Sequence, residues 1–263
     1  MAERPLILLS NDDGFRAPGL AHLREALQSF ADVVVCAPES EQSGTSHAIS
    51  LSRPLRLLEH ERGVFSVDGT PADCVFVALC AEGRVLGRTP DLVVSGINHG
   101  LNLGGDVFYS GTVAAAREGA LRGLRGLALS AGRGADFAAA ASYSRDIARA
   151  FLAADKPLIG GVLLNANFPP GNAWPVRGTR LGIRRYENRA EFRHDPRGGE
   201  YLWIGGPGVT HEGPAGSDTE AYDAGVVGIT PLSLELWSAA QQPLADGVAD
   251  AAVSLMSASN TVQ

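Results

Sequence analysis

An α/β fold built on a Rossmann-like, doubly wound and mostly parallel sheet is what this sequence predicts, and three observations carry the prediction. Apolar runs of strand length recur between Leu6 and Leu164, continuous rather than alternating, as in strands buried on both faces. Segments with helical spacing separate several of these runs. Three of the runs end in oxygen-bearing side chains, at the carboxyl ends where sheets of this kind bind ligands.

The first run, Leu6 to Leu9, leads to Asn11-Asp12-Asp13-Gly14. Leu20, Leu23, Leu27 and Phe30 then fall on one helical face after Pro18-Gly19, where a helix start tolerates proline, so the segment reads as a βα crossover into the second run, Val33 to Cys36. The polar segment Ser40 to Ser46 follows that run, and Ser95-Gly96-Ile97-Asn98 follows the third, Leu92 to Val94. Beyond a glycine-rich stretch, Gly100 to Asp106, a helix is expected from about Thr112 to Ala120, with Val113, Ala116 and Ala120 on one face and Thr112 accepting from the first-turn amides. Leu127 to Leu129, an alanine-rich helix from Phe137 to Leu152, and Val162 to Leu164 complete the alternation.

After Pro169-Pro170-Gly171 the helical periodicity disappears through Gly216, which points to hairpins. The expected division is a catalytic core over 1–170 and a hairpin and helical region for oligomerisation over 171–263. Arg177, Arg180, Arg184, Arg185, Arg189, Arg193 and Arg197, interspersed with Tyr186 and Phe192, raise an RNA-binding reading. The competing one is a two-stranded arm, its arginines offset by Glu187, Glu191 and Asp195, packed on a partner subunit. Leu244, Val248, Ala252, Leu255 and Met256 form a helical stripe suited to core or oligomer contact.

Composition narrows the function. The 263 residues are 45% hydrophobic, enough for a large α/β core, and 22 basic against 29 acidic residues give a net charge of -7. That balance disfavours a surface dedicated to nucleic acid or anionic membrane, so an anionic substrate needs local help from a cation or oriented amides. Cys36, Cys74 and Cys80 show no paired spacing and are expected as buried free thiols. No run reaches the ~20 apolar residues of a membrane helix, and Met1 to Pro5 lead directly into the first strand, so a soluble cytoplasmic protein is expected.

Asn-Asp-Asp-Gly is ordinary turn chemistry, yet paired carboxylates at a strand end without a nearby Lys or His also suit a hard cation. Two carboxylates, a hydroxyl and an amide oxygen, gathered from three strand ends, fit Mg²⁺ or Mn²⁺ with ligands at about 2.1 Å; lacking His and Cys, the set disfavours zinc. The glycine-rich stretch and the start of the following helix, Tyr109-Ser110-Gly111-Thr112, form an anion cradle that matches neither the dinucleotide fingerprint nor the P-loop.

Leu8-Leu9-Ser10-Asn11-Asp12-Asp13-Gly14, Ser43-Gly44, Gly69-Thr70-Pro71-Ala72-Asp73-Cys74, Ser95-Gly96-Ile97-Asn98, Tyr109-Ser110-Gly111-Thr112 and Leu164-Asn165-Ala166-Asn167-Phe168-Pro169, in this order, resemble the SurE family of survival-protein 5'-nucleotidases. The resemblance implies a cytoplasmic, divalent-metal-dependent phosphatase acting on nucleoside 5'-monophosphates, often also on 3'-monophosphates. It implies one Mg or Mn ion per subunit on Asp12, Asp13, Ser43 and Asn98, and homodimers or homotetramers that swap carboxyl-terminal elements, including the last helix. Asp12, Asp13 and Asn98 are then the catalytic candidates, while Ser43, Gly44, Asn102, Ser110, Gly111 and Thr112 are candidates to hold the substrate phosphate. His47 and His99 are candidates to protonate the leaving alkoxide. Gly216-Ser217-Asp218 stands where Gly-Thr-Asp is common, and Gly228 replaces a frequent serine. A covalent aspartyl-phosphate is a rival mechanism, disfavoured because the aspartates adjoin; a non-catalytic nucleotide-binding regulator is a rival function.

Overall fold

A computed structural model describes residues 4–154, 160–187, 190–205 and 208–260. The first crossover is as expected: β1 (Leu6–Ser10), α1 (Pro18–Gln28) and β2 (Asp32–Pro38), with β1 and β2 parallel. Successive side chains of β1 point to opposite faces, and Leu6 to Leu9 are all apolar because both faces are covered. Ile7 and Leu9 join Leu20, Leu23 and Leu27 of α1, whereas Leu6 and Leu8 join Cys36 and the helix beyond the next hairpin. Each fully buried side chain of this type contributes about 1.5–3 kcal/mol.

That hairpin, β3 (Leu57–Glu61) and β4 (Val64–Val67), is followed by α2 (Pro71–Cys80). None of the three stands out by pattern. The outer strand is largely exposed and charged, the inner one has only four residues, and both faces of α2 are apolar. The helix start is nonetheless written in the chain as a capping box: the Thr70 hydroxyl accepts from the Asp73 amide at 3.1 Å, while the Asp73 carboxylate accepts from the Thr70 amide at 2.9 Å.

The remaining expected runs become β5 (Leu92–His99), β6 (Arg125–Ala131) and β7 (Val162–Phe168), all parallel. Between β5 and β6 lie a 3₁₀ turn, Gly104–Phe108, and α3 (Gly111–Leu121); α4 (Phe137–Ala153) precedes β7. Helices α1 and α4 pack together on one face of the sheet, α2 and α3 on the other.

Past residue 170 the chain makes β8 (Val176–Gly178), β9 (Ile183–Tyr186), β10 (Ala190–His194), β11 (Glu200–Ile204) and β12 (Val209–Glu212). Helix α5 (Asp218–Asp223), β13 (Val227–Leu232), a 3₁₀ turn at Ala239–Gln241 and α6 (Gln242–Asn260) follow. Strands β10 and β11 form one antiparallel ribbon, β9 and β12 another. Strands β13 and β8 instead extend the main sheet, β13 antiparallel to β7, to give the order β3-β4-β2-β1-β5-β6-β7-β13-β8.

Four arginines of this region meet acids, not always the expected ones, while Arg180 donates to the Ala215 carbonyl at 3.1 Å. Arg193 pairs with Glu191 at 2.8 Å, Arg185 with Glu212 at 2.7 Å, Arg177 with Glu220 at 2.9 Å and Arg184 with Asp106 at 2.7 Å. Asp195 instead accepts from the amides of Arg197 and Gly199 within its own turn. Arg189 lies outside the described residues. In α6 the side chains of Leu244, Val248 and Met256 are exposed in the single chain; the side chain of Leu255 is outside the described set. Cys36 and Cys74 are buried free thiols as expected, but Cys80 is exposed, because it falls in the last turn of α2. Among the described residues, no helix is long and apolar enough to cross a membrane.

Candidate functional site

Strand order reverses direction between β1 and β5, the paired neighbours at the centre of the sheet, with Ser10 opposite Ser95. A doubly wound sheet opens a crevice at such a switch point. Asp12 and Asp13 leave β1 there, and Asn98 sits at the end of β5.

The four residues after β1 are both a turn and a carrier of charge. The Asn11 amide nitrogen donates to the Gly14 carbonyl at 2.9 Å, which closes the turn. Asp12 is only 4% exposed, and its Oδ1 accepts a short hydrogen bond from the Thr112 hydroxyl. The helix cap is therefore not Thr112, as expected, but Ser110, whose hydroxyl accepts from the Val113 amide at 3.0 Å and so leaves Thr112 for the aspartate. Between them, Gly111 admits no side chain: a Cβ there would lie 2.9 Å from Asp12 Cβ and 3.0 Å from Pro71 Cγ. Burial pushes the Asp12 carboxyl from its ordinary 3.8 up to about 6; the Thr112 bond opposes that rise and the Asp13 charge adds to it.

Asp13 is less buried. Its Oδ2 accepts from the His99 amide at 3.2 Å, and burial, reinforced by Glu41, raises its pKa as well. Asn98 donates through Nδ2 to the Gly100 carbonyl at 3.1 Å, and among the described residues its amide oxygen takes no hydrogen bond. The β5–β6 register shifts just before it, between Ser95 and Asn98, and the Gly96–Ile97 peptide there is cis. The loop after β2 is strapped across the site: the Gln42 amide donates to the Asp12 carbonyl at 2.8 Å and the Ser46 amide to the Tyr109 carbonyl at 3.0 Å. Within it the Ser43 hydroxyl donates to Glu41 at 2.9 Å.

Asp12, Ser43, Gly44, Asn98, Asn102 and Ser110 line one cavity of about 560 Å³. Asp13 lines an adjoining one of about 330 Å³ with His99, which borders both. Gly111 and Thr112 stand behind Asp12 rather than on a cavity wall. His47 is engaged elsewhere, 2.9 Å from Glu118, which also holds Arg122. Among the described residues no three His, Cys, Asp or Glu side chains gather as a metal group, so a cation here would depend on the neutral oxygens of Ser43 and Asn98 beside the two carboxylates.

Sequence reasoning missed the supports of the glycine-rich stretch. Asn167 brackets Asn102 as a neighbouring strand would, accepting from its amide at 2.8 Å and donating to its carbonyl at 3.0 Å. Asn165 donates to the same carbonyl at 2.8 Å, and the Asn102 side chain donates to Ser130 at 2.7 Å. Asp218 accepts from the amides of Gly104 at 3.0 Å and Gly182 at 2.6 Å, joining the stretch to β9. At Gly104, with φ of +51°, a Cβ would lie 2.7 Å from the Gly182 carbonyl. The departure at Ser217 is local, since its hydroxyl caps α5 as threonine's would. At Gly228 a Cβ would lie 2.9 Å from the Thr179 hydroxyl. Asp106, Tyr109 and Tyr186 also border the larger cavity; the only signal for them was their place in the glycine-rich and arginine-rich stretches.

The family model described as survival protein SurE matches residues 7–188. A relative from Sorangium cellulosum named 5'-nucleotidase SurE is 61% identical over 244 residues, 92% of this chain and 95% of that protein. One of the same name from Anaeromyxobacter sp. strain Fw109-5 is 50% identical, covering 87% and 90%. The solved structure of a SurE protein from Aquifex aeolicus superimposes with a TM-score of 0.76 at 36% identity, covering 90% of this chain and 96% of that one.

Proposed function

Given that the chain belongs to the survival protein SurE family, we propose that it is a divalent-cation-dependent phosphatase that releases phosphate from nucleoside 5'-monophosphates and also accepts 3'-monophosphates. One observation carries the reading: Asp12 and Asp13 are adjacent carboxylates at the switch point, raised in pKa by burial, with the oxygens of Ser43 and Asn98 nearby. Such a site is unfavourable when ionised and empty, and favourable around a hard cation.

The donor set fits one Mg²⁺ or Mn²⁺ per subunit, held by Asp12, Asp13, Ser43 and Asn98. Such an ion would polarise the phosphoryl group and neutralise its developing charge. The chain's own residues do the rest. Thr112 fixes the orientation of Asp12. Ser110, already accepting from the helix, keeps its own proton to donate to a phosphate oxygen. The amide of Gly44, the side chain of Asn102 and the positive end of α3 complete the cradle. As water attacks phosphorus and the P–O bond to the nucleoside breaks, Asp13 takes the water proton and His99 returns one to the leaving alkoxide. The exposed stripe of α6 and the β10–β11 ribbon supply contacts for a homodimer or homotetramer in the cytoplasm.

Phosphate release from AMP tests the reading. Turnover with Mn²⁺, lost in EDTA and restored by added Mn²⁺, is expected; AMP binding without release would identify a nucleotide-binding regulator instead.

A further inference from the structure

The larger cavity has two chemical ends. Oxygen groups of Asp12, Ser43 and Asn98 occupy one, while Leu101, Tyr109, Tyr186 and Ile204 supply apolar surface elsewhere on its wall. At about 560 Å³ it is within the range of small-molecule sites.

Among the apolar groups Tyr186 is held in place from several sides. Its hydroxyl donates to Asp106 Oδ1 at 2.7 Å, and Asp106 Oδ2 is itself 2.7 Å from Arg184 Nη1. The Arg184 guanidinium lies 5.4 Å from the centroid of the Tyr186 ring. With Asp106 and Tyr109, Tyr186 also borders a second cavity of about 310 Å³ that Arg184 and Arg185 line, so these three residues stand between an arginine-lined space and the one that bears Asp12. The ring is thus tethered at its tip and accompanied by a cation, yet Tyr186 remains 47% exposed. Burial and then Asp106 push the phenol up to about 12, so it stays a donor to Asp106.

We propose that Tyr186 is the stacking wall for the nucleobase of the substrate, positioned by Asp106; this rests on the nucleotidase reading above. Because the O–H is donated to Asp106, Tyr186 offers a flat face and no free donor to read a base edge. Stacking of this kind tolerates every base, since each has a π-face. Broad use of purine and pyrimidine nucleotides follows, with the larger purines favoured.

The test compares kcat/KM for AMP with that for ribose 5-phosphate, which keeps the phosphate and sugar but lacks the base. Base–aromatic stacking of about 1–3 kcal/mol corresponds to roughly 5- to 140-fold in that ratio. Tyr186→Ala should lower the ratio about tenfold, chiefly through KM, while Tyr186→Phe and Asp106→Ala, which keep the ring but lose the tether, should both fall between it and wild type. Adenosine should inhibit ribose 5-phosphate hydrolysis by the wild type and lose that inhibition in Tyr186→Leu, a variant that keeps apolar bulk without the ring. An unchanged ratio in Tyr186→Ala, or an equal fall for both substrates, overturns the proposal. Failure of the wild type to hydrolyse either phosphoester overturns the nucleotidase reading instead.

Discussion

Thr112, in the first turn of α3, gives its hydroxyl proton to Asp12 at the end of β1, joining positions 100 residues apart in the chain. The bond orients a carboxylate that burial would otherwise leave costly to ionise. Thr112→Val keeps the shape but removes the donor. It should destabilise the fold by about 1–3 kcal/mol and weaken Mn²⁺ binding, with Thr112→Ser recovering most of both. Urea midpoints and Mn²⁺ titration by calorimetry check this; a Val variant that binds Mn²⁺ like wild type would show the bond to be incidental.

The shift at Asp12 sets a pH dependence for cation-free protein. A carboxyl whose folded pKa is raised from 3.8 to about 6 stabilises the fold fully below about pH 4, and that contribution is lost as pH rises through 6. The full effect is about 3 kcal/mol, and Asp13 acts in the same direction. EDTA-treated protein should therefore be less stable at pH 7.5 than at pH 5, and Asp12→Asn should flatten the difference. Equal urea midpoints at the two pH values in the wild type would contradict the shift.

Close approach makes Gly111 intolerant. Gly111→Ala places a methyl 2.9 Å from Asp12 Cβ and 3.0 Å from Pro71 Cγ, so α3 must move away from the carboxylate. Overpacking of this kind costs about 1–3 kcal/mol. Phosphate release should fall at least tenfold with the helix content intact by circular dichroism; wild-type turnover would mean that the site does not need this separation.

Asn167→Ala removes both hydrogen bonds that bracket Asn102, leaving a buried amide without its partner. Each such loss costs about 1–3 kcal/mol. KM for AMP should rise, since Asn102 borders the cavity and its backbone would be held only by Asn165. Hydrogen exchange at residues 100–106 should accelerate; unchanged protection there would assign the clamp a different role.

Periodicity exposed the five long parallel strands and helices α1, α3 and α4, because a strand buried on both faces and a helix packed on one must be written as apolar runs and stripes. It failed at β3, β4 and α2, where an exposed outer strand, a four-residue inner strand and a helix apolar on both faces leave no contrast to read. Asp12, Asp13 and Asn98 were legible since oxygen-rich strand ends in a doubly wound sheet converge. Which residue caps α3 was not, because Ser110 and Thr112 are equally able hydroxyls and only the position of Asp12 distinguishes them.

The chain by itself determined the five parallel strands β1, β2, β5, β6 and β7, the helices α1, α3 and α4 between them and the oxygen-bearing side chains at the strand ends, all of which follow from local pattern and from residues near one another in sequence. Tertiary structure decided the partners: Thr112 for Asp12, Asn167 for Asn102, Asp218 for Gly104, and Asp106 for Tyr186. Each pair is separated by at least 65 residues, and hydrogen bonds at such separations depend on how the elements pack rather than on any period within them.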